Sequence, residues 1–172
     1  MPGTGKSTIM KKLMGRIGQF EQEKLGEQLW TEKCKNIRIL GKYDEGETFS
    51  GTDRLSMSVC PEAIHLAKQD RDEVWIGEGD RLNNKGFFES VEDKTIIHLT
   101  VSDKERHRRY EERGSNQSRE FINTCKTKIK NIVNQFGDVQ TLWGEEKGCV
   151  VEMRHETPFD TDKIVDEILK MV

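Results

Sequence analysis

Paired cysteines, membrane-length apolar runs and a surplus of positive charge are all missing from this sequence. Its four cysteines, Cys34, Cys60, Cys125 and Cys149, lie far apart, with no C-x-x-C pair and no histidine at metal-ligand spacing. Reduced thiols are therefore expected rather than a zinc site or a disulfide framework. Neither a leader pattern nor an apolar run of spanning length occurs, so the expected setting is the cytoplasm. The formal net charge is −3, so no global positive field draws in nucleic acid, and any such contact needs a local cluster. Internal repeats and low-complexity segments are absent. So are the [NT]-K-x-D guanine-reading motif and the apolar run ending in Asp-Glu that mark switch and motor nucleotidases. Hydrophobic residues supply 33 % of the 172 positions and charged residues 34 %, which predicts one domain with a small core and a large wetted surface.

What the chain does have is concentrated at its amino end, MPGTGKST over residues 1–8. This is the body of a phosphate-binding P-loop. Gly3, Thr4 and Gly5 present backbone N–H groups to a phosphate, Lys6 brings a mobile positive charge, and Ser7, followed by Thr8, offers a hydroxyl to Mg2+. A nucleoside triphosphate is the expected ligand. Counting the pattern G-x-x-x-x-G-K-[ST] back from Gly5 places its first glycine before Met1, and the strand that normally feeds such a loop is not in this sequence. The expectation is a central strand position that is empty, frayed or filled by a neighbouring segment, with weakened nucleotide affinity. The helix that should follow is present, because Ile9, Met10, Leu13, Met14 and Ile17 fall on one face of 7–17.

Further along, 18–35 is charged, and its Phe20, Leu25, Leu29 and Trp30 predict one or two helical turns. A short strand is expected over 36–43 with Ile37, Ile39 and Leu40 inside, then a polar loop over 44–52. Pro61 is placed to open a helix through 69, with Ala63, Ile64 and Ala67 inward. Buried strands are predicted at 73–77 and 95–101, joined by a short helical link over 84–91. Ser102 with Glu105 forms a capping-box pattern for a basic helix over 103–113. GSNQS at 114–118 breaks it, and a long helix over 119–136 carries Phe121, Ile122, Cys125, Ile129, Ile132, Val133 and Phe136 on one face. A last strand at 149–153 and a last helix at 160–171 complete the alternation. Strands alternating with helices imply an α/β fold with a mostly parallel sheet wrapped on both sides, whose ligands collect at the carboxyl ends of the strands.

Three groups of residues stand where chemistry is expected. The turn Glu78-Gly79-Asp80-Arg81 follows a buried strand; Glu78 or Asp80 could hold Mg2+ or orient a reacting hydroxyl, and Arg81 could fork onto a phosphate. In Gly51-Thr52-Asp53-Arg54, Asp53 could take the proton of an acceptor hydroxyl and Arg54 could bind an acceptor phosphate or base edge. Asp44 competes for the role of base. Ordinary polar turns would use the same residue types at both places. The basic segment with Arg106, His107, Arg108, Arg109, Arg113 and Arg119 suits a lid closing over a triphosphate. A solvated face paired with Glu105, Glu111 and Glu112 is the plainer reading. His65, His98 and His155 show no ligand pattern and read as structural, while 155–159 is a loop that could touch an adenine.

Taken together, the P-loop, the acidic-Gly-basic turn, the arginine-rich segment and the final strand with its Thr-Pro loop resemble the P-loop nucleoside and nucleotide kinase family. The resemblance implies a three-layer P-loop NTPase fold with a core of five parallel strands, Mg-ATP as phosphoryl donor, an acceptor held by 41–60 and a lid over 103–119. It gives Lys6 and Ser7 the phosphate and the Mg2+, and makes Arg109 and Arg113 lid arginines. GTDRLS at 51–56 and EGDRL at 78–82 also look like bacteriophage-encoded kinases, among them enzymes that phosphorylate 5-hydroxymethyluracil within DNA; a phage-infected bacterial cytoplasm would be the matching setting. The EGDR turn is one residue shorter than the D-G-x-P-R turn of adenylate kinases, which argues against adenylate-kinase specificity. The expected function is transfer of the γ-phosphoryl group to a nucleotide or a modified base in DNA. The alternatives are a P-loop ATPase or regulatory nucleotide-binding module without an acceptor, and a small-molecule kinase of shikimate kinase type.

Overall fold

The apolar stripe of the first helix forms as its spacing predicts: α1 (Lys6–Ile17) buries Ile9, Met10 and Leu13. The computed structural model describes residues 2–44, 50–69, 72–112, 114–115, 117–137 and 149–172. They form two compact units, Met1–Lys6 with Glu92–Ile164, and Ser7–Val91 with Val165–Val172.

The second of these units is built on a four-stranded sheet in the order β1 (Glu21–Lys24), β2 (Trp30–Cys34), β3 (Ile37–Leu40), β4 (Val74–Gly77). β1–β2 and β2–β3 are antiparallel, and β3–β4 is parallel. Two further helices belong here, α2 (Val59–Gln69) and α3 (Lys85–Ser90). Leu29, Leu40, Leu55, Val59, Ala63 and Leu82 pack into one buried cluster, flanked by Trp30, Trp75 and Phe87. Full burial of each leucine or valine among them stabilises by about 1.5–3 kcal/mol.

The other unit pairs β5 (Thr95–Thr100) with β6 (Cys149–Arg154) in parallel. The intervening chain supplies α4 (Asp103–Glu112) and α5 (Arg119–Phe136). The Ser118 hydroxyl caps α5 by accepting from Phe121 N at 3.2 Å. α4 begins with the Ser102 hydroxyl accepting from Glu105 N at 3.2 Å, but the return bond expected from Glu105 comes from Glu156, whose carboxylate takes Ser102 N at 2.6 Å and Ser102 Oγ at 2.8 Å. A last helix, α6 (Pro158–Leu169), follows β6.

The expected five-stranded, mostly parallel sheet does not form. Parallel pairing holds within β3–β4 and within β5–β6, yet these pairs sit in separate sheets, and the larger sheet is mostly antiparallel. The physical reason lies in 18–35, expected as helical turns. Here the chain doubles back: Lys35, at φ 55, begins a two-residue connection that brings Cys34 opposite Ile37. Antiparallel neighbours need only so short a link, whereas a parallel pair needs a crossover. β1 gave no alternating signal because all four of its residues are exposed.

Candidate phosphate loop and acidic cluster

The loop over residues 2–5 owes its shape to glycine. Gly3 and Gly5 take φ of 75° and 87°, a left-handed backbone that only glycine adopts without cost. A Cβ on Gly5 would stand 2.3 Å from the His155 ring, and one on Gly3 would stand 2.9 Å from the Tyr110 ring. Both glycines are therefore required by space as well as by torsion.

Side chains from α4 and from the turn after β6 grip the loop's outward carbonyls in succession. Tyr110 Oη donates to Pro2 O at 3.2 Å, Arg109 Nη1 to Gly3 O at 3.2 Å, and His155 Nδ1 to Thr4 O at 2.8 Å. Because a carbonyl can only accept, His155 must carry a proton on Nδ1. The 3.3 Å approach of Arg109 Nη1 to that same nitrogen is then a packing contact between two donors. His155 Nε2 is held by Thr161 Oγ1 at 2.8 Å, and His155 itself is buried. Turning consecutive carbonyls outward is how a loop of alternating torsions presents its amides inward as an anion nest.

Arg109 is more scaffold than lid in this arrangement. Besides Gly3, its guanidinium donates to His155 O at 3.0 Å, Glu156 O at 3.3 Å and Glu105 Oε1 at 2.8 Å. Arg108, bonded also to Glu112, and then Arg109 hold the Glu105 carboxyl down at about 2. The plainer reading of a solvated, glutamate-paired face thus describes Arg108. Arg106 turns inward, is buried, and pairs with Asp103 at 2.5 Å. Arg113 lies outside the described residues. Lys6 opens α1 and is half-exposed, and Thr8 is exposed on the same helix.

In the other unit, the Ser7 hydroxyl donates to Glu78 Oε1 at 3.0 Å. That spacing matches neighbouring oxygens around an octahedral Mg2+ with bonds of about 2.0–2.1 Å, and Mg2+ takes only one or two protein ligands beside water and phosphate. Ser7 and Glu78 fit such an ion. Among the described residues no group of three or more His, Cys, Asp or Glu stands ready for a metal. The turn after β4 is tied to the segment before α2: Thr52 N and Thr52 Oγ1 both donate to Glu78 O, at 3.2 and 2.7 Å, and Asp80 N donates to Asp53 Oδ1 at 2.7 Å. Gly79, at φ 116, has no room for a Cβ, which would meet Thr52 Oγ1 at 2.4 Å and Asp53 Oδ1 at 2.8 Å.

The structure thus brings Ser7, Thr52, Asp53, Glu78 and Asp80 together. It draws the competing base Asp44 aside into an ion pair with Arg54, and Arg81 Nε donates to Leu55 O at 3.3 Å. Tyr110 was not legible as a residue of the loop, because a lone tyrosine inside a helix carries no motif. No helix among the described residues is long and apolar enough to cross a membrane. No family profile, no curated protein and no solved structure matches this chain.

Proposed function

We propose that the protein is a kinase that moves the γ-phosphoryl group of ATP to a nucleotide-type acceptor, a class that includes a modified base in DNA. One observation carries this reading: the successive carbonyls of Pro2, Gly3 and Thr4 in the PGTGKS loop are clamped from outside by Tyr110, Arg109 and His155, with glycine at both left-handed positions. Lys6 would neutralise charge on the transferred group, and Ser7 with Glu78 would hold a Mg2+, which when bound would supply charge shielding to the phosphates. Asp53 accepts the proton of the attacking hydroxyl as its oxygen bonds to the γ-phosphorus and the bridge to the β-phosphate breaks, releasing ADP. A base within DNA would have to be flipped out or single-stranded to reach these groups.

Titration calorimetry with Mg-ATP tests the loop, and label transfer from γ-labelled ATP to nucleosides, nucleotides and hydroxymethyluracil DNA tests the chemistry. Lys6→Ala is expected to reduce transfer by about 10²–10³-fold, the scale of losing one charge-stabilising donor. Transfer undiminished in that variant would remove the assignment. Asp53→Asn is expected to slow transfer while sparing ATP affinity; unchanged turnover would move the role of base to Glu78.

A further inference from the structure

β5 offers its backbone to one neighbour only. Thr100 O accepts from His155 N at 2.9 Å, so Thr100, and with it His98 and Ile96, turn their amides and carbonyls toward β6. Because that direction alternates along a strand, Ile97, Leu99 and Val101 turn theirs the opposite way. Among the described residues no strand lies on that side, for the sheet holds β5 and β6 alone. A row of unpaired N–H and C=O groups is a template for another extended chain.

A cavity of about 240 Å3 opens on the same rim. Residues 98–101 line it together with Thr4, Lys126, Ile129 and Lys130. Neighbouring side chains of a strand point to opposite faces, so a space that touches four in a row lies along the strand's edge. Leu99, Val101 and Ile129 give it an apolar wall. Sites for drug-sized ligands run to about 300–1,000 Å3, so this one suits a single side chain.

The charge beside the cavity is positive. Lys126 and Lys130 stand one turn apart on α5, both exposed, and neither is ion-paired among the described residues. No carboxylate is among the residues that line the cavity. A nucleic-acid backbone would satisfy the two cations but has no alternating amides and carbonyls to match the rim. A second copy of β5 would bring its own two lysines against these, the repulsion by which lysine guards open edges. An extended peptide with apolar and acidic residues meets the rim, the cavity and the cations together.

We propose that an acidic extended peptide adds to the free rim of β5 as a third strand. Its main chain pairs with Ile97, Leu99 and Val101, one apolar side chain fills the cavity, and its carboxylates meet Lys126 and Lys130. This partner site goes beyond phosphoryl transfer and does not depend on it.

The probe is the octapeptide TVTETVTE, fluorescein-labelled and amidated, titrated into the full chain and read by fluorescence anisotropy. Two control peptides leave the protein untouched: TVTKTVTK reverses the charge, and TVTETVTE methylated on every backbone nitrogen cannot pair. The double variant Lys126→Glu, Lys130→Glu alters two exposed side chains. Saturable binding of TVTETVTE is expected, with Kd raised about tenfold or more in the double variant and binding lost with both control peptides. Hydrogen exchange followed by nuclear magnetic resonance should slow at Ile97, Leu99 and Val101 when the peptide is added, and hold at Ile96, His98 and Thr100. Equal affinity for the methylated peptide, or unchanged exchange at the three outward amides, overturns the proposal. Protection of those amides without peptide, in a protein that sediments as a dimer, gives the rim to a second copy and overturns it. Oligothymidylate that binds through Lys126 and Lys130 while TVTETVTE does not bind makes the row a nucleic-acid contact and overturns it too.

Discussion

At Gly5 a single hydrogen atom decides whether the loop can exist. Gly5→Ala combines a Cβ 2.3 Å from the His155 ring with a φ of 87°, strain on the order of 1–3 kcal/mol. It is expected to abolish Mg-ATP binding while leaving the far-ultraviolet circular dichroism near that of wild type; full affinity in calorimetry would contradict the clamp. Arg109 separates two readings of one side chain. A lid arginine acts on the moving phosphoryl group, so Arg109→Ala would lower kcat with ATP affinity intact. A clamp residue fixes Gly3 O, so the same change weakens ATP binding together with kcat, and this second pattern is expected. The loop residues 3–7 were legible in sequence because their motif encodes backbone torsion and charge directly. The clamping of the loop by Tyr110 and His155 was not, because it depends on residues over a hundred positions away meeting one short segment.

Elements were legible where one periodicity dominates. α5 was expected at 119–136 and forms there, since its apolar stripe and its Ser118 cap agree. β1 and β2 were misread as helical turns because their stability comes from pairing and from one buried cation, neither of which leaves a local pattern. That cation is Arg38 on β3. It is 3 % exposed and donates to Glu73 at 2.5 and 3.1 Å, to Glu23 at 2.9 Å and to Thr31 Oγ1 at 2.9 Å. Burial works against its charge, but its bonds to Glu73 and Glu23 outweigh that and raise its pKa. The same bond from Arg38, helped by Lys33, holds the Glu73 carboxyl down at about 2 from an ordinary 4.5. A depressed carboxyl stabilises fully above its ordinary value and loses that contribution as the pH falls toward the folded one. The melting temperature should therefore hold between pH 7 and 5 and fall below about 4.5, with at most about 3 kcal/mol lost by pH 2. Glu73→Gln should flatten that slope. Arg38→Ala, which removes both ion pairs but leaves Glu73 its partner Lys33 and Glu23 open to water, is expected to cost about 1–3 kcal/mol in urea unfolding.

For the molecule as a whole, composition fixed the balance of charge and water but not the partition of strands. A small core was expected, and the described core is indeed a short set of residues, yet nothing in the composition says that β3–β4 and β5–β6 belong to different sheets. With a net charge of −3, any polynucleotide acceptor must bind through local contacts rather than a general field. Its affinity should change far less between 50 and 200 mM salt than the roughly 10³–10⁵-fold typical of proteins making many phosphate contacts; fluorescence anisotropy across that range checks this. The outermost strand, β1, has a further consequence. Its open rim bears Glu21, Gln22, Glu23 and Lys24, all four exposed although Glu23 also reaches Arg38, and a charged margin refuses to template another copy. Concentrated solutions should stay clear on storage, and replacing Glu21 and Lys24 by valine should turn that margin adhesive, seen as turbidity and fibre growth.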